Sequence, residues 1–94
     1  MTLGQVIERL EEFDRAHTIY AVKPWTLDSE ALVQDAHHST ASSGRFDYLL
    51  DIYTALEVIE VWSEQRDGAV PSIAERCAAL VYYEDHDAYL IPDD

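Results

Sequence analysis

Residues 54–66 and 73–85 constrain the fold more than any other part of the chain. The first stretch runs Thr54-Ala-Leu-Glu-Val-Ile-Glu-Val-Trp-Ser-Glu-Gln-Arg66 and puts Ala55, Val58, Ile59 and Trp62 at helical spacing. Glu57, Glu60 and Glu64 fall on another side. Apolar residues recurring at i, i+3, i+4 and i+7 share one face of a helix, so this stretch predicts an amphipathic helix with a core side and an acidic side. Asp67-Gly68 ends it, with glycine available for a left-handed C-terminal cap. Ser72 opens the next helix, and Glu75 three positions on completes a capping box. Ile73, Cys77, Leu80 and Val81 form its buried stripe, and Ala74, Ala78 and Ala79 would let it approach its neighbours closely. The region from Tyr53 to Tyr89 therefore reads as a helical hairpin.

Upstream, Thr2 and Gln5 have capping-box spacing. Leu3, Val6, Ile7, Leu10 and Phe13 continue as a buried stripe, which predicts a helix over 3–15, weakened slightly by Gly4. His17-Thr-Ile-Tyr-Ala-Val22 is β-branched and aromatic and reads as a strand, closed by Pro24. Residues 30–36 are ambiguous. Alternation favours a second strand in a hairpin with 18–22; a short helix capped by Ser29 competes. Residues 37–44, His-His-Ser-Thr-Ala-Ser-Ser-Gly, read as a flexible polar loop. Over 45–52, Phe46, Tyr48, Leu50 and Ile52 alternate with Asp47, Leu49 and Asp51, which predicts a half-buried third strand with the acids outside. The expected fold is α+β: a small antiparallel sheet of about three strands with three helices, in the order α-β-β-β-α-α. Residues 1–94 are expected to form a single domain. Asp47 and Asp51 would discourage edge-to-edge pairing of the sheet.

Nineteen acidic residues face six Lys and Arg, a net charge of −13, while 48% of the chain is apolar. That apolar content argues for a folded acidic domain rather than a disordered tail. Its field would repel nucleic acid and anionic membranes and attract basic partners. Plain solubility is the competing explanation, although it needs a net charge of only roughly 2–8. Cys77 is the single cysteine, so no internal disulfide and no multi-cysteine metal site can form. The sequence shows neither a signal-peptide pattern nor an apolar run long enough to cross a bilayer, so the expected location is cytoplasmic.

No catalytic motif stands out, and the chain is not expected to be an enzyme. Cys77 lies on an apolar stripe, where a thiol is a buried small hydrophobe rather than a nucleophile. The serines at 39, 42 and 43 lack a nucleophile-elbow pattern, and the three isolated glycines make no phosphate loop. His37 and His38 are adjacent in a loop, whereas metal ligands usually come from ordered, separated positions. His86 sits between Asp85 and Asp87, neighbours that favour its protonated form. A metal- or pH-responsive domain built on these three histidines is a minor alternative; no metal and no cofactor are expected.

The acidic side of residues 54–66 carries the main functional expectation. Glu57, Glu60 and Glu64 would be separated by roughly 4.5 and 6 Å along a helix axis. That is comparable to the phosphate repeat of a nucleic-acid strand, roughly 3.4 Å in axial projection and more along the path. Asp67 would extend the row, and Asp47 and Asp51 would add charge from the sheet. An ordinary solvent-facing flank would look the same in sequence. Tyr82 and Tyr83 are adjacent on a helix and cannot both face the core; with Tyr89 and Trp25 they would supply an aromatic centre inside an acidic rim. A homodimer contact is the equal competitor for those aromatics.

Ile19-Tyr-Ala-Val-Lys-Pro-Trp25, Leu56-Glu-Val-Ile-Glu-Val-Trp62 and Cys77-Ala-Ala-Leu-Val-Tyr-Tyr-Glu-Asp-His-Asp-Ala-Tyr89 together resemble a small uncharacterised family of acidic bacterial and phage proteins. That resemblance implies no activity, cofactor or catalytic residue. In size and charge, though not by a motif, the chain is also similar to anti-CRISPR proteins and to toxin-neutralising immunity proteins. The expected function is therefore non-enzymatic inhibition of a basic nucleic-acid-handling protein, by excluding its nucleic acid or locking its conformation. An anti-CRISPR or related anti-defence role is its most concrete form. An immunity protein or antitoxin against a nuclease toxin is the alternative. The partner would be a basic nuclease or nucleic-acid-binding effector, with no direct nucleic-acid or membrane contact.

Overall fold

The computed structural model describes residues 1–35 and 46–90. The elements are α1 (Leu3–Glu8), a 3₁₀ turn (Leu10–Glu12), β1 (His17–Ala21), β2 (Ala31–Asp35), β3 (Asp47–Asp51), α2 (Ile52–Glu64) and α3 (Ile73–His86). The three strands form one antiparallel sheet in the order β2-β1-β3, so the chain is a small α+β fold. The expected loop at 37–44, with His37 and His38, lies outside the described residues.

Both capping boxes form. The Thr2 hydroxyl accepts from the Gln5 N–H while the Gln5 side chain accepts from the Thr2 N–H. Ser72 and Glu75 repeat the arrangement at the start of α3. Each box satisfies two N–H groups that a helix start otherwise leaves unpaired.

The first helix is shorter than its apolar periodicity predicts. After Glu8 the chain tightens: the Arg9 N–H is shared between the Gln5 and Val6 carbonyls, at 3.3 and 3.2 Å. A 3₁₀ turn follows, the usual way a helix end uses shared bonds to close. Leu10 still reaches the core, while Phe13 is only half-buried against it. Periodicity thus identified the inward residues and overran the helix.

The ambiguous stretch forms a strand over Ala31–Asp35. β1 and β2 pair from His17 opposite Asp35 to Ala21 opposite Ala31. Ser29 caps no helix; it organises the connection instead. Its hydroxyl accepts from the Thr26 N–H and donates to the Pro24 carbonyl, and its N–H donates to the Thr26 carbonyl. The Lys23–Pro24 peptide in that connection is cis. The same segment holds α1: Leu3 and Gly4 donate their N–H groups to the carbonyls of Ser29 and Leu27. The Leu27 carbonyl lies 3.1 Å from where a Cβ on Gly4 would sit, so this close approach uses the absence of a side chain.

β3 corrects the expected alternation. Ile19 faces Leu50, but Tyr20 faces Tyr48, so the register slips and Leu49 is the extra residue of a bulge. Leu49 and Leu50 are both buried, and Tyr48, expected inside, is 51% exposed. Ile52 belongs to α2 rather than to the strand end and is buried; Tyr53, next in the helix, is exposed.

The buried residues form one cluster that joins α1, the sheet, α2 and α3. Its fully enclosed side chains include Leu3, Ile7, Ile19, Leu49, Ile52 and Leu80. Arg76 ties α3 to the first helical segment, donating to the Ile7 carbonyl and pairing with Glu11 at 3.0 Å.

Candidate functional site

Two surfaces collect the residues singled out from sequence. The first is the flank of α2. Glu57, Glu60 and Glu64 are all exposed there, while Ala55, Val58, Ile59 and Trp62 fill the core side. Asp67 follows in the turn, exposed and with a left-handed backbone (φ 56°), next to Gly68 (φ 82°). The Gly68 N–H closes the helix end on the Ser63 carbonyl at 2.9 Å.

This flank is not a bare row of charge. The Tyr89 hydroxyl donates to the Glu57 carboxylate at 2.7 Å. That bond holds the phenol in its protonated form and pushes its pKa up to about 12. Tyr89 also packs on Tyr83, with ring centroids 5.4 Å apart. Arg15 lines a shallow depression of about 110 Å³ with Tyr53, Leu56, Glu57 and Glu60. Glu64 and Asp67 lie beyond that depression. At the helix end Arg66 stacks over Trp62, 4.1 Å from the ring centroid.

The second surface is a groove of about 420 Å³ between α3 and the β1–β2 connection. Trp25 and Leu27 form one side. Ala74, Cys77, Ala78 and Val81 form the floor. Tyr82, Asp85 and His86 close one end. Trp25 is fixed by its indole N–H, which donates to the Ala21 carbonyl at 3.0 Å, and Lys23 stands over its ring at 4.7 Å. Tyr82 and His86 stack with centroids 4.0 Å apart and planes at 16°. Of the three alanines expected to draw helices together, only Ala79 is buried; Ala74 and Ala78 are exposed and floor the groove. Cys77 is buried, as its apolar stripe predicts, and burial pushes its thiol pKa up, away from nucleophilic use.

The four expected aromatic anchors therefore divide. Neighbouring helical residues project about 100° apart, so Tyr82 turns to the groove with Trp25, and Tyr83 turns to Tyr89 and the α2 flank. Of the two strand acids expected to add charge from the sheet, Asp47 is exposed opposite Ala21, and Asp51 is half-buried as the N-cap residue of α2, without a side-chain capping bond. Sequence reasoning missed the groove. The Lys23-Pro-Trp25 turn and the exposed alanines were its only traces.

Among the described residues, no group of three or more His, Cys, Asp or Glu is placed to hold a metal ion. No described helix is long and apolar enough to cross a membrane.

The chain belongs to the family described as a domain of unknown function, DUF7716, which it matches over residues 1–91. No curated protein and no solved structure matches it.

Proposed function

We propose that this protein is a non-enzymatic, cytoplasmic inhibitor that binds a basic nucleic-acid-handling protein and keeps nucleic acid from it. The observation that carries this reading is the α2 flank: three exposed glutamates on one helix side in a chain of net charge −13. A field of that sign accelerates encounter with a basic groove and disfavours direct contact with nucleic acid. The Tyr89 bond fixes one of the three carboxylates before any partner arrives, so less side-chain freedom is lost on binding. An anti-CRISPR or related anti-defence role is the most specific form of the proposal.

The test is affinity capture from a bacterial host lysate, with and without DNA as competitor. The expected catch is a basic nucleic-acid-binding protein that DNA displaces. Retention should fall as salt rises, since separated exposed charges are screened over about 8–10 Å at ordinary ionic strength. The triple variant Glu57→Lys, Glu60→Lys, Glu64→Lys should lose that catch while keeping the wild-type circular dichroism spectrum. Unchanged retention and unchanged salt dependence in the variant would sink the proposal.

A further inference from the structure

We infer that the groove between α3 and the β1–β2 connection binds a small organic amine with an apolar body. The groove's volume, about 420 Å³, lies in the range of small-molecule sites, and its composition follows their usual plan of apolar walls with a few convergent polar groups. Ala74, Ala78 and Val81 lie along α3, and Leu27 faces them from the connection. These provide an apolar bed roughly 16 Å long between positions 74 and 85. The polar groups gather at one end, where Asp85 is the lining's single carboxylate. Its carboxylate is exposed and makes no hydrogen bond or ion pair among the described residues. Two aromatic side chains, Trp25 and Tyr82, line the same groove, and a cation beside an aromatic face and a carboxylate is favoured by both.

The charge count around the groove selects a cation. Lys23 is the basic group standing over Trp25; the Glu84 carboxyl has its pKa raised, chiefly by burial, with Lys23 pulling it the other way and Asp85 and Asp87 adding to the rise. Asp85 and Asp87 are exposed at the same helix end, so the acidic groups there outnumber Lys23. A carboxylate ligand would meet this excess as repulsion, and a neutral ligand would leave Asp85 without a partner. The polar end is also built before a ligand arrives. Trp25 is held by its bond to Ala21, and Tyr82 is held against His86, whose Nδ1 lies 3.1 Å from the Tyr82 carbonyl. The amine site shares no residue with the α2 flank, so it stands whether or not that flank binds a basic partner.

The experiment is a proton–nitrogen NMR titration of the full chain with three probes of one shape: phenethylamine, phenethyl alcohol and hydrocinnamate. Phenethylamine should shift the Trp25 indole resonance and the amides of Ala78, Tyr82 and Asp85. Phenethyl alcohol should bind more weakly, and hydrocinnamate should leave the groove unperturbed. Asp85→Asn should weaken phenethylamine about ten-fold, the scale of one charge-assisted contact, and leave the alcohol unchanged. Ala78→Met should abolish both, and its exposed position leaves the core intact. Equal binding of amine and carboxylate would overturn the assignment, as would shifts confined to other surfaces or no shifts at all. Response only to an acetylated, amidated Leu-Lys-Leu peptide, with the free amine inert, would also overturn it and give the groove to a protein partner.

Discussion

The α2 flank and the α3 groove differ in how they are made. The flank is written along one helix: Glu57, Glu60 and Glu64 share a side because residues three, four and seven apart lie within about 60° of one another around a helix axis. Its character is charge, and it survives small shifts of the backbone. The groove joins positions 25–27 to positions 74–86, and no local pattern connects them. Its character is shape, and it exists only while α3 and the β1–β2 connection keep their spacing. Charge is therefore the robust feature of this molecule and concavity the fragile one.

The strongest test of that contrast is Leu80→Ala. Leu80 is fully enclosed in the cluster that α2 and α3 share, and such truncations cost about 2–5 kcal/mol. Urea denaturation should show a loss of that order. Near the midpoint, the groove resonances of Trp25 and Ala78 should disappear together with those of α2. Persistence of a folded α2 after the groove is lost would show that the two surfaces do not share one cooperative core.

Ser72→Ala should separate the two surfaces at smaller cost. It removes the hydroxyl that caps the Glu75 N–H, a loss of about 1 kcal/mol for a typical N-cap. Amide exchange should quicken over 73–77, beneath the Ala74 end of the groove, and stay unchanged along 55–64. The box also has a pH signature. Hydrogen bonds from Ser72 hold the Glu75 carboxyl below its ordinary value of 4.5, so its stabilisation is complete above that value and is lost as pH falls through the lower folded-state pKa.

A change confined to the flank is expected from Tyr89→Phe. In the wild type one phenol should titrate at about 12 rather than near the ordinary 10.0. Because the raised value belongs to the folded state, the bond to Glu57 stabilises fully below pH 10 and fades as pH climbs through 12. Ultraviolet titration should lose the component near 12 in Tyr89→Phe, and Glu57→Gln should move it downward; burial also raises the Tyr48 phenol, which neither variant removes. The groove resonances should not respond to either variant.

The smallest effect on folding is expected from Ala78→Met. An exposed helix position away from core and caps tolerates substitution within about 0.5 kcal/mol. Thermal melting should barely move while the groove fills. A large drop would mean that the wall from Trp25 to Leu27 presses on α3 more closely than an open groove allows.

What could be read from sequence follows the same division. Capping boxes and amphipathic stripes are local, and they located α2 and α3 to within two residues at every end. The order of elements and the β1–β2 hairpin were also legible, because alternation and a proline turn are local signals. β3 misled because a bulge is decided by the neighbouring strand: Ile19 and Tyr20 meet Leu50 and Tyr48 and leave Leu49 over. In sequence, the acids at 47 and 51 suggest alternation, and the adjacent pair Leu49-Leu50 is the one break in it. The first helix misled because apolar spacing does not distinguish an α-helix from a helix that tightens into a 3₁₀ turn. The glutamate row was legible, but the Tyr89 bond and the Arg15 depression were not, since they join residues 32 or more positions apart.

The alanine floor has a consequence for the entropy of anything that covers it. Long side chains on an exposed helix lose up to about 1.5–2 kcal/mol of rotamer freedom each when buried, whereas alanine loses none. Ala74 and Ala78 present methyl groups with no rotamers to freeze. The groove floor is thus already in its bound condition, and the ordering cost of occupancy falls almost entirely on the visitor.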